Sequence, residues 1–116
     1  MLEGDRKKIE DSFIRALNAS SDIFGSYAFR KQYKRKECRN PINKALFETW
    51  TVNLSGLNDD QLTELKQKKN KLINGFIDLM NDSSGFDSAI SQGTGNIAKV
   101  KLRFLEISKL IQEVLS

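Results

Sequence analysis

The acidic residues are the side chains of this sequence that could act as general acids, general bases or metal ligands. Seven of the fifteen acidic residues form two groups, one near the start (Glu3, Asp5, Glu10 and Asp11) and one at residues 59–64 (Asp59, Asp60 and Glu64). The second group opens a predicted helix, where acidic residues usually offset the helix dipole. We interpret both groups as stabilising helix termini, so no catalytic residue is predicted in the chain.

Histidine is absent from the 116 residues, which removes the commonest general base and the commonest imidazole metal ligand. Ser-His-Asp, Cys-His and HExxH chemistry are thereby excluded within this chain. The stretch GFDSAISQGTG, residues 85–95, lacks the lysine of a Walker loop and follows no strand-like run. We therefore predict no metal site and no cofactor, and we interpret Gly93 and Gly95 as a turn between helices.

A basic segment with interleaved aromatic residues, YAFRKQYKRKECR at residues 27–39, is the best candidate for a binding site. Its cations are Arg30, Lys31, Lys34, Arg35, Lys36 and Arg39. With Glu37 they give a local net charge of +5, against +4 for the whole chain, so the remainder is close to neutral. Cations of this kind suit nucleic-acid phosphates, and Tyr27 and Tyr33 are candidates for stacking on bases.

Other interpretations of the basic segment stay open. It also suits a solvated loop anchored by its aromatic residues, or a surface that forms ion pairs with another domain or an acidic partner. Cys38 lies among these cations, and without a histidine or metal partner we interpret it as a small hydrophobic residue.

Length and composition indicate a single soluble domain over residues 1–116 with one core. No apolar run approaches the roughly 20 residues of a membrane-spanning helix, and the start lacks the apolar region of a secretory signal. A single cysteine cannot form an internal disulfide. We therefore expect a cytoplasmic protein without membrane contact.

Helical periodicity is present along most of the chain, and convincing strand alternation is not. A first helix is predicted from about Asp5 to Ser21. Its apolar face at helical spacing consists of Ile9, Phe13, Ala16 and Leu17. In RNPINKALFETW, residues 39–50, Asn40 is the predicted N-cap and Pro41 the first helical residue. The apolar stripe predicted to follow is Ile42, Leu46, Phe47, Trp50 and Leu54.

The second half of the chain has clear helix starts. In LNDDQL, Asn58 and Gln61 predict a capping box, followed by either one long helix or two through Met80. A short helix is predicted at residues 86–91. Asn96 is the predicted cap of a last helix, whose heptad-like seam favours core packing over an intermolecular coiled coil. The predicted fold is an all-α, single-domain bundle of four to six helices.

Four ordered segments carry a family resemblance: AFRK (28–31), PINKALFETW (41–50) with VNLSGL, FDSAISQGTG (86–95) and KVKLRFLEI (99–107). Their order and spacing resemble the C-terminal helical part of GmrSD-type proteins. These are prokaryotic defence proteins, many of them modification-dependent restriction enzymes, with an N-terminal ParB-like domain that carries a DGQQR signature. That signature is absent here, so none of the family's catalytic or nucleotide-binding residues are carried over.

The resemblance implies a non-catalytic accessory domain of a GmrSD-like restriction or phage-defence protein, whose parent is a nuclease or NTPase. It would give scaffolding, association or sequence-independent DNA contact, with the ParB-like domain as partner. The chain then represents an excised C-terminal domain, with residues 1–4 left by an expression vector, or a stand-alone relative. The alternatives are an independent helical protein-protein interaction module and a small RNA-binding protein, and homo-oligomers are compatible with each.

Overall fold

The computed structural model describes residues 3–36, 38–82, 85–91 and 95–116. These residues form six α-helices, and a 3₁₀ turn at Gly25–Tyr27 follows the first. The helices are α1 (Glu3–Phe24), α2 (Lys44–Ser55), α3 (Asp59–Gln67), α4 (Lys69–Asn81), α5 (Phe86–Ser91) and α6 (Ile97–Leu115). No strand occurs among the described residues, so the prediction of an all-α bundle of four to six helices is confirmed.

Two predicted helix starts are confirmed by their caps. At the start of α3, the Gln61 amide donates to Asn58 Oδ1 over 2.8 Å, and the Asn58 amide donates to Gln61 Oε1 over 3.0 Å. At the start of α6, the Ala98 amide donates to Asn96 Oδ1 over 2.9 Å. Each cap satisfies amide groups that have no partner within the helix, which explains why these helices begin there.

The predicted start of α2 was wrong by three residues. The helix begins at Lys44 and its N-cap is Asn43, whose Oδ1 accepts the Leu46 amide at 3.0 Å. Ile42 instead pairs with Arg30 in an isolated antiparallel bridge, and the Asn43 amide donates to the Phe29 carbonyl over 2.8 Å. Because these long-range bonds keep residues 42–43 extended, the helix cannot begin at Pro41.

Residues 59–81 form two helices, which is one of the two predicted alternatives, and the break lies at Lys68. Lys68 leaves the helical region at φ −101° and ψ 25°, while its Nζ binds Glu64 Oε1 at 2.9 Å and the Val114 carbonyl at 3.2 Å. Gly75 lies inside α4, where an added Cβ would stand 2.4 Å from Leu110 Cδ1. The glycine therefore lets α4 approach α6 closely.

The core is built around Trp50, which is buried as predicted, together with Leu46 and Leu54. Its ring packs edge-to-face against Phe24 and Phe76, with ring centroids 5.0 Å and 5.6 Å away. Such aromatic pairs add stabilisation beyond that of the buried area. Two members of the predicted α2 stripe differ: Phe47 is half-buried, and Ile42 is 60% exposed because it precedes the helix.

The predicted apolar face of α1 is only partly buried. Ala16 is buried and Leu17 half-buried, but Ile9 and Phe13 are 57% and 41% exposed. Among residues 8–24, the part of α1 whose burial is described, the buried residues are Ala16, Ala19, Ser20, Ile23 and Phe24. In α6 the same contrast occurs, since Ile107, Ile111 and Val114 are buried whereas Ile97 is 72% exposed. Apolar periodicity thus extends beyond the part of each helix that the core covers.

The turn before α6 includes Gly95, whereas Gly93 lies outside the described residues. None of the described helices is both long and apolar enough to cross a lipid bilayer.

Candidate nucleic-acid and docking surfaces

The segments that carry the family resemblance meet around Asn43. Besides capping α2, this residue donates from Nδ2 to the Ile90 carbonyl at 2.9 Å, near the end of α5. Its backbone amide donates to the Phe29 carbonyl, so AFRK, PINKALFETW and FDSAISQGTG are joined at one residue. Asn43 therefore has a structural role that the sequence had attributed to Asn40.

Arg30 and Lys31 of AFRK are also bonded to Asn40, the residue that precedes PINKALFETW. Arg30 Nη1 donates to the Asn40 carbonyl at 2.6 Å, and Asn40 Nδ2 donates to the Lys31 carbonyl at 2.8 Å. Arg30 is half-buried and its guanidinium binds the chain itself. Arg30, one of the six predicted nucleic-acid-binding cations, thus stabilises the fold.

Asp87, on α5, binds two further residues of the basic segment, Lys31 and Tyr33. The Tyr33 hydroxyl donates to its Oδ2 at 3.0 Å, and Lys31 Nζ lies 3.4 Å from its Oδ1. Ser91 Oγ also donates to Oδ1 at 3.0 Å. Partial burial by itself would raise the pKa of Asp87, but the hydrogen bonds from Tyr33 and Ser91 and the charge of Lys31 outweigh it and lower the pKa below 3.8.

Arg35 binds the surface of α4 through two asparagines. Its Nη1 donates to Asn74 Oδ1 at 3.2 Å and its Nη2 to Asn70 Oδ1 at 3.1 Å. A third asparagine of α4, Asn81, donates from Nδ2 to the Tyr33 carbonyl at 2.8 Å. The basic segment therefore lies along one face of α4 and does not extend freely into solvent.

The remaining three candidate cations, Lys34, Lys36 and Arg39, are exposed. Their side chains make no hydrogen bond or ion pair with any residue that the structure describes. Cys38 beside them is also exposed, so it does not belong to the apolar core. Three of the six predicted cations are thus available to a ligand in this arrangement.

The aromatic side chains of the basic segment pack against the protein, whereas stacking on bases requires exposed rings. Tyr33 packs against the core, and Tyr27 is half-buried. Phe29 has a positive φ of 62° and packs edge-to-face on Phe47, with centroids 4.9 Å apart. Exposed aromatic rings were the observation that would have favoured the RNA-binding alternative, and the rings of Phe29 and Tyr33 lack that exposure.

The fourth segment of the resemblance contributes a buried arginine that sequence reasoning missed. Arg103 of α6 donates from Nη1 to the Ala89 carbonyl at 3.4 Å, and its Nη2 lies 3.9 Å from Glu48 Oε2. These contacts join α6 to α5 and α2. The sequence feature that could have revealed this role is the position of Arg103 on the core-facing stripe of α6, because a charged side chain there requires partners.

A second surface lies between α1 and α2. It is a groove of about 460 Å³ with a mostly apolar lining that includes Ile9, Phe13, Phe47 and Val52. The Phe13 and Phe47 rings meet edge-to-face, with centroids 6.2 Å apart. We call this feature the α1–α2 groove; the sequence had assigned its aromatic residues to the core.

Comparisons of the chain with protein-family models, with curated proteins and with solved structures gave no match. The resemblance to GmrSD-type proteins therefore stays a prediction that rests on the four segments. Within the described part of the chain, no group of three or more acidic or cysteine side chains could hold a metal ion.

Proposed function

We propose that this chain is a non-catalytic helical accessory domain of a GmrSD-like modification-dependent restriction or phage-defence protein. It docks the ParB-like catalytic domain of that protein and adds sequence-independent contact to DNA. The observation that carries the proposal is the α1–α2 groove, in which Phe13 and Ile9 are exposed beside the half-buried Phe47.

The groove has the properties of a protein-docking surface. Apolar side chains that cluster on a surface lower their free energy when a partner removes them from water. Phe13 and Phe47 supply large aromatic surfaces, which commonly dominate binding energy at such sites. Lys8 and Glu48 at its edge add charges of both signs, which would orient a partner.

The second part of the proposal, contact with DNA, is supported by the exposure of Lys34, Lys36 and Arg39. Cations without partners on the protein are free to replace the counterions of a phosphate backbone. Such contacts carry no base information, so they fit a domain that holds DNA while another domain recognises the modification.

The reading frame that encodes the chain provides the first test. A DGQQR-containing domain encoded upstream in the same frame is the expected result, and its absence would overturn the GmrSD assignment. In that case the groove favours the second candidate, an independent protein-protein interaction module.

The docking role is tested by adding the ParB-like domain in trans and measuring its affinity for the chain by calorimetry. Phe13→Ser with Val52→Ser should weaken binding by at least about tenfold, since both remove apolar contact in the groove. Ile42→Ser with Ile97→Ser is the matched control, because both isoleucines are exposed and neither lines the groove. Equal losses in the two variants would contradict docking at this site.

A further inference from the structure

The lysines at residues 66–71 divide into paired and unpaired members. Lys66 Nζ lies 3.2 Å from Asp22 Oδ2, and Lys68 Nζ lies 2.9 Å from Glu64 Oε1. Lys69 and Lys71 are exposed, and their side chains have no hydrogen-bond or ion-pair partner among the residues the structure describes. The start of α4 thus carries two positive charges that no described carboxylate compensates.

Arg35 brings these two lysines and the basic segment together. Its guanidinium binds Asn70, which lies between Lys69 and Lys71 in the first turn of α4. Both of its partners, Asn70 and Asn74, are neutral amides, so no carboxylate offsets the positive charge of Arg35 in these contacts. Lys69 and Lys71 are each rotated about 100° around α4 from Asn70, so they flank the contact with Arg35 on its two sides.

We infer that Lys34, Lys36, Arg39, Lys69 and Lys71 form one surface that binds the phosphate backbone of double-stranded DNA, with Arg35 positioning its two halves. We call this set the basic surface. The inference rests on the DNA contact in the proposed function and deepens it, because it adds α4 to the site and specifies a duplex.

A duplex fits the basic surface better than a single strand does. Binding of single strands depends on bases that stack on exposed aromatic rings. Here Phe29 packs on Phe47, and Tyr33 packs on the core with its hydroxyl bonded to Asp87. A surface that offers cations without stacking rings can contact phosphates but not bases, and paired bases need no stacking partner.

The single carboxylate of α4, Asp78, limits the basic surface at one end. Asp78 is exposed and follows Asn74 by one turn, and by helix geometry it lies about 12 Å along the axis from Asn70. A phosphate near Asp78 would be repelled, so the surface ends in the middle of α4. Lys34, Lys36, Arg39 and the first turn of α4 remain as the cationic area.

The test is a titration of a fluorescent DNA duplex with the purified chain over a series of salt concentrations. If the five cations each neutralise one phosphate, log K should fall with log salt at a slope of about −4.5. Lys69→Gln with Lys71→Gln should reduce the slope by about 1.8, and Lys34→Gln with Lys36→Gln by the same amount. Circular dichroism should show unchanged helical content in each variant.

Lys66→Gln with Lys68→Gln is the matched control, since it removes the same charge from the same run. These lysines are already paired with carboxylates, so the slope should change by less than half as much. If Lys69→Gln with Lys71→Gln behaves like this control while the chain still binds duplex, the inference is wrong and the contact by residues 30–39 alone stands.

Two further ligands distinguish the remaining outcomes. A single strand of the same length that binds more tightly than the duplex would overturn the assignment to a duplex. Polyglutamate that binds as tightly as DNA would assign the basic surface to an acidic protein partner instead. An absence of DNA binding at low ionic strength would overturn both this inference and the DNA contact in the proposed function, while docking through the groove would be unaffected.

Discussion

Arg35 and Asn70 join two basic runs of the chain through a 3.1 Å hydrogen bond that spans 35 residues of sequence. With the second bond to Asn74, it fixes the basic segment against α4 without compensating the charge of the arginine. These two hydrogen bonds bring two separate clusters of cations into a single surface. Substitution of the two asparagines would remove the bonds without changing the net charge of the chain.

Substitution of the two asparagines tests this geometry directly. Asn70→Ala with Asn74→Ala keeps every charge but releases Arg35 from α4, so the two halves of the basic surface would no longer be held together. We expect duplex affinity at low salt to fall several-fold, measured by fluorescence anisotropy. Asn18→Ala on the exposed part of α1 serves as the control, and an unchanged affinity in the double variant would show that net charge alone governs binding.

Trp50 should be the most sensitive position of the core. Trp50→Ala removes a ring that contacts both Phe24 and Phe76, and a cavity of this size costs about 3–5 kcal/mol in the free energy of unfolding. Urea denaturation provides the measurement. A loss below about 1 kcal/mol would contradict the central position of Trp50, since surface substitutions are usually that mild.

Asn43 should matter more for stability than an ordinary helix cap. Asn58→Ala removes a cap alone and should cost about 1 kcal/mol. Asn43→Ala removes a cap and also the hydrogen bond to the Ile90 carbonyl, so about 2 kcal/mol is expected. The two variants form a matched pair in denaturant unfolding. Equal losses would show that the contact between Asn43 and α5 adds no stability.

The low pKa of Asp87 predicts a dependence of stability on pH. Because the folded pKa lies below the unfolded value of 3.8, the charged carboxylate stabilises the fold above that value, and the contribution is lost as pH falls through the folded pKa. The stability difference between the wild-type chain and Asp87→Asn should therefore be smaller at pH 3 than at pH 7. A difference that grew on acidification would contradict the stabilising role of Tyr33, Ser91 and Lys31.

Catalysis is not expected from this chain. Without histidine or a phosphate-binding loop in the sequence, the purified chain should neither cleave DNA nor hydrolyse nucleotides. Nuclease and phosphate-release assays with magnesium or manganese provide the measurement. Metal-dependent turnover that copurified with the chain and disappeared on substitution of one of its carboxylates would overturn the prediction.

The sequence by itself determined those features that depend on residues close together in the chain. The caps at Asn58 and Asn96 follow from hydrogen bonds between residues two or three positions apart. The burial of Trp50 follows from the size of its apolar surface. Each of these signals is local or intrinsic to one side chain, so it is visible without knowledge of the fold.

Only the tertiary structure decided which periodic faces are covered and which distant residues meet. The start of α2 moved to Asn43 because Phe29 and Arg30 bind residues 42–43, and Phe13 is 41% exposed although its ring packs edge-to-face on Phe47 of α2. The basic surface likewise requires the contact between Arg35 and α4. Helical periodicity specifies an apolar face but not its partner, since burial depends on how the helices pack against one another.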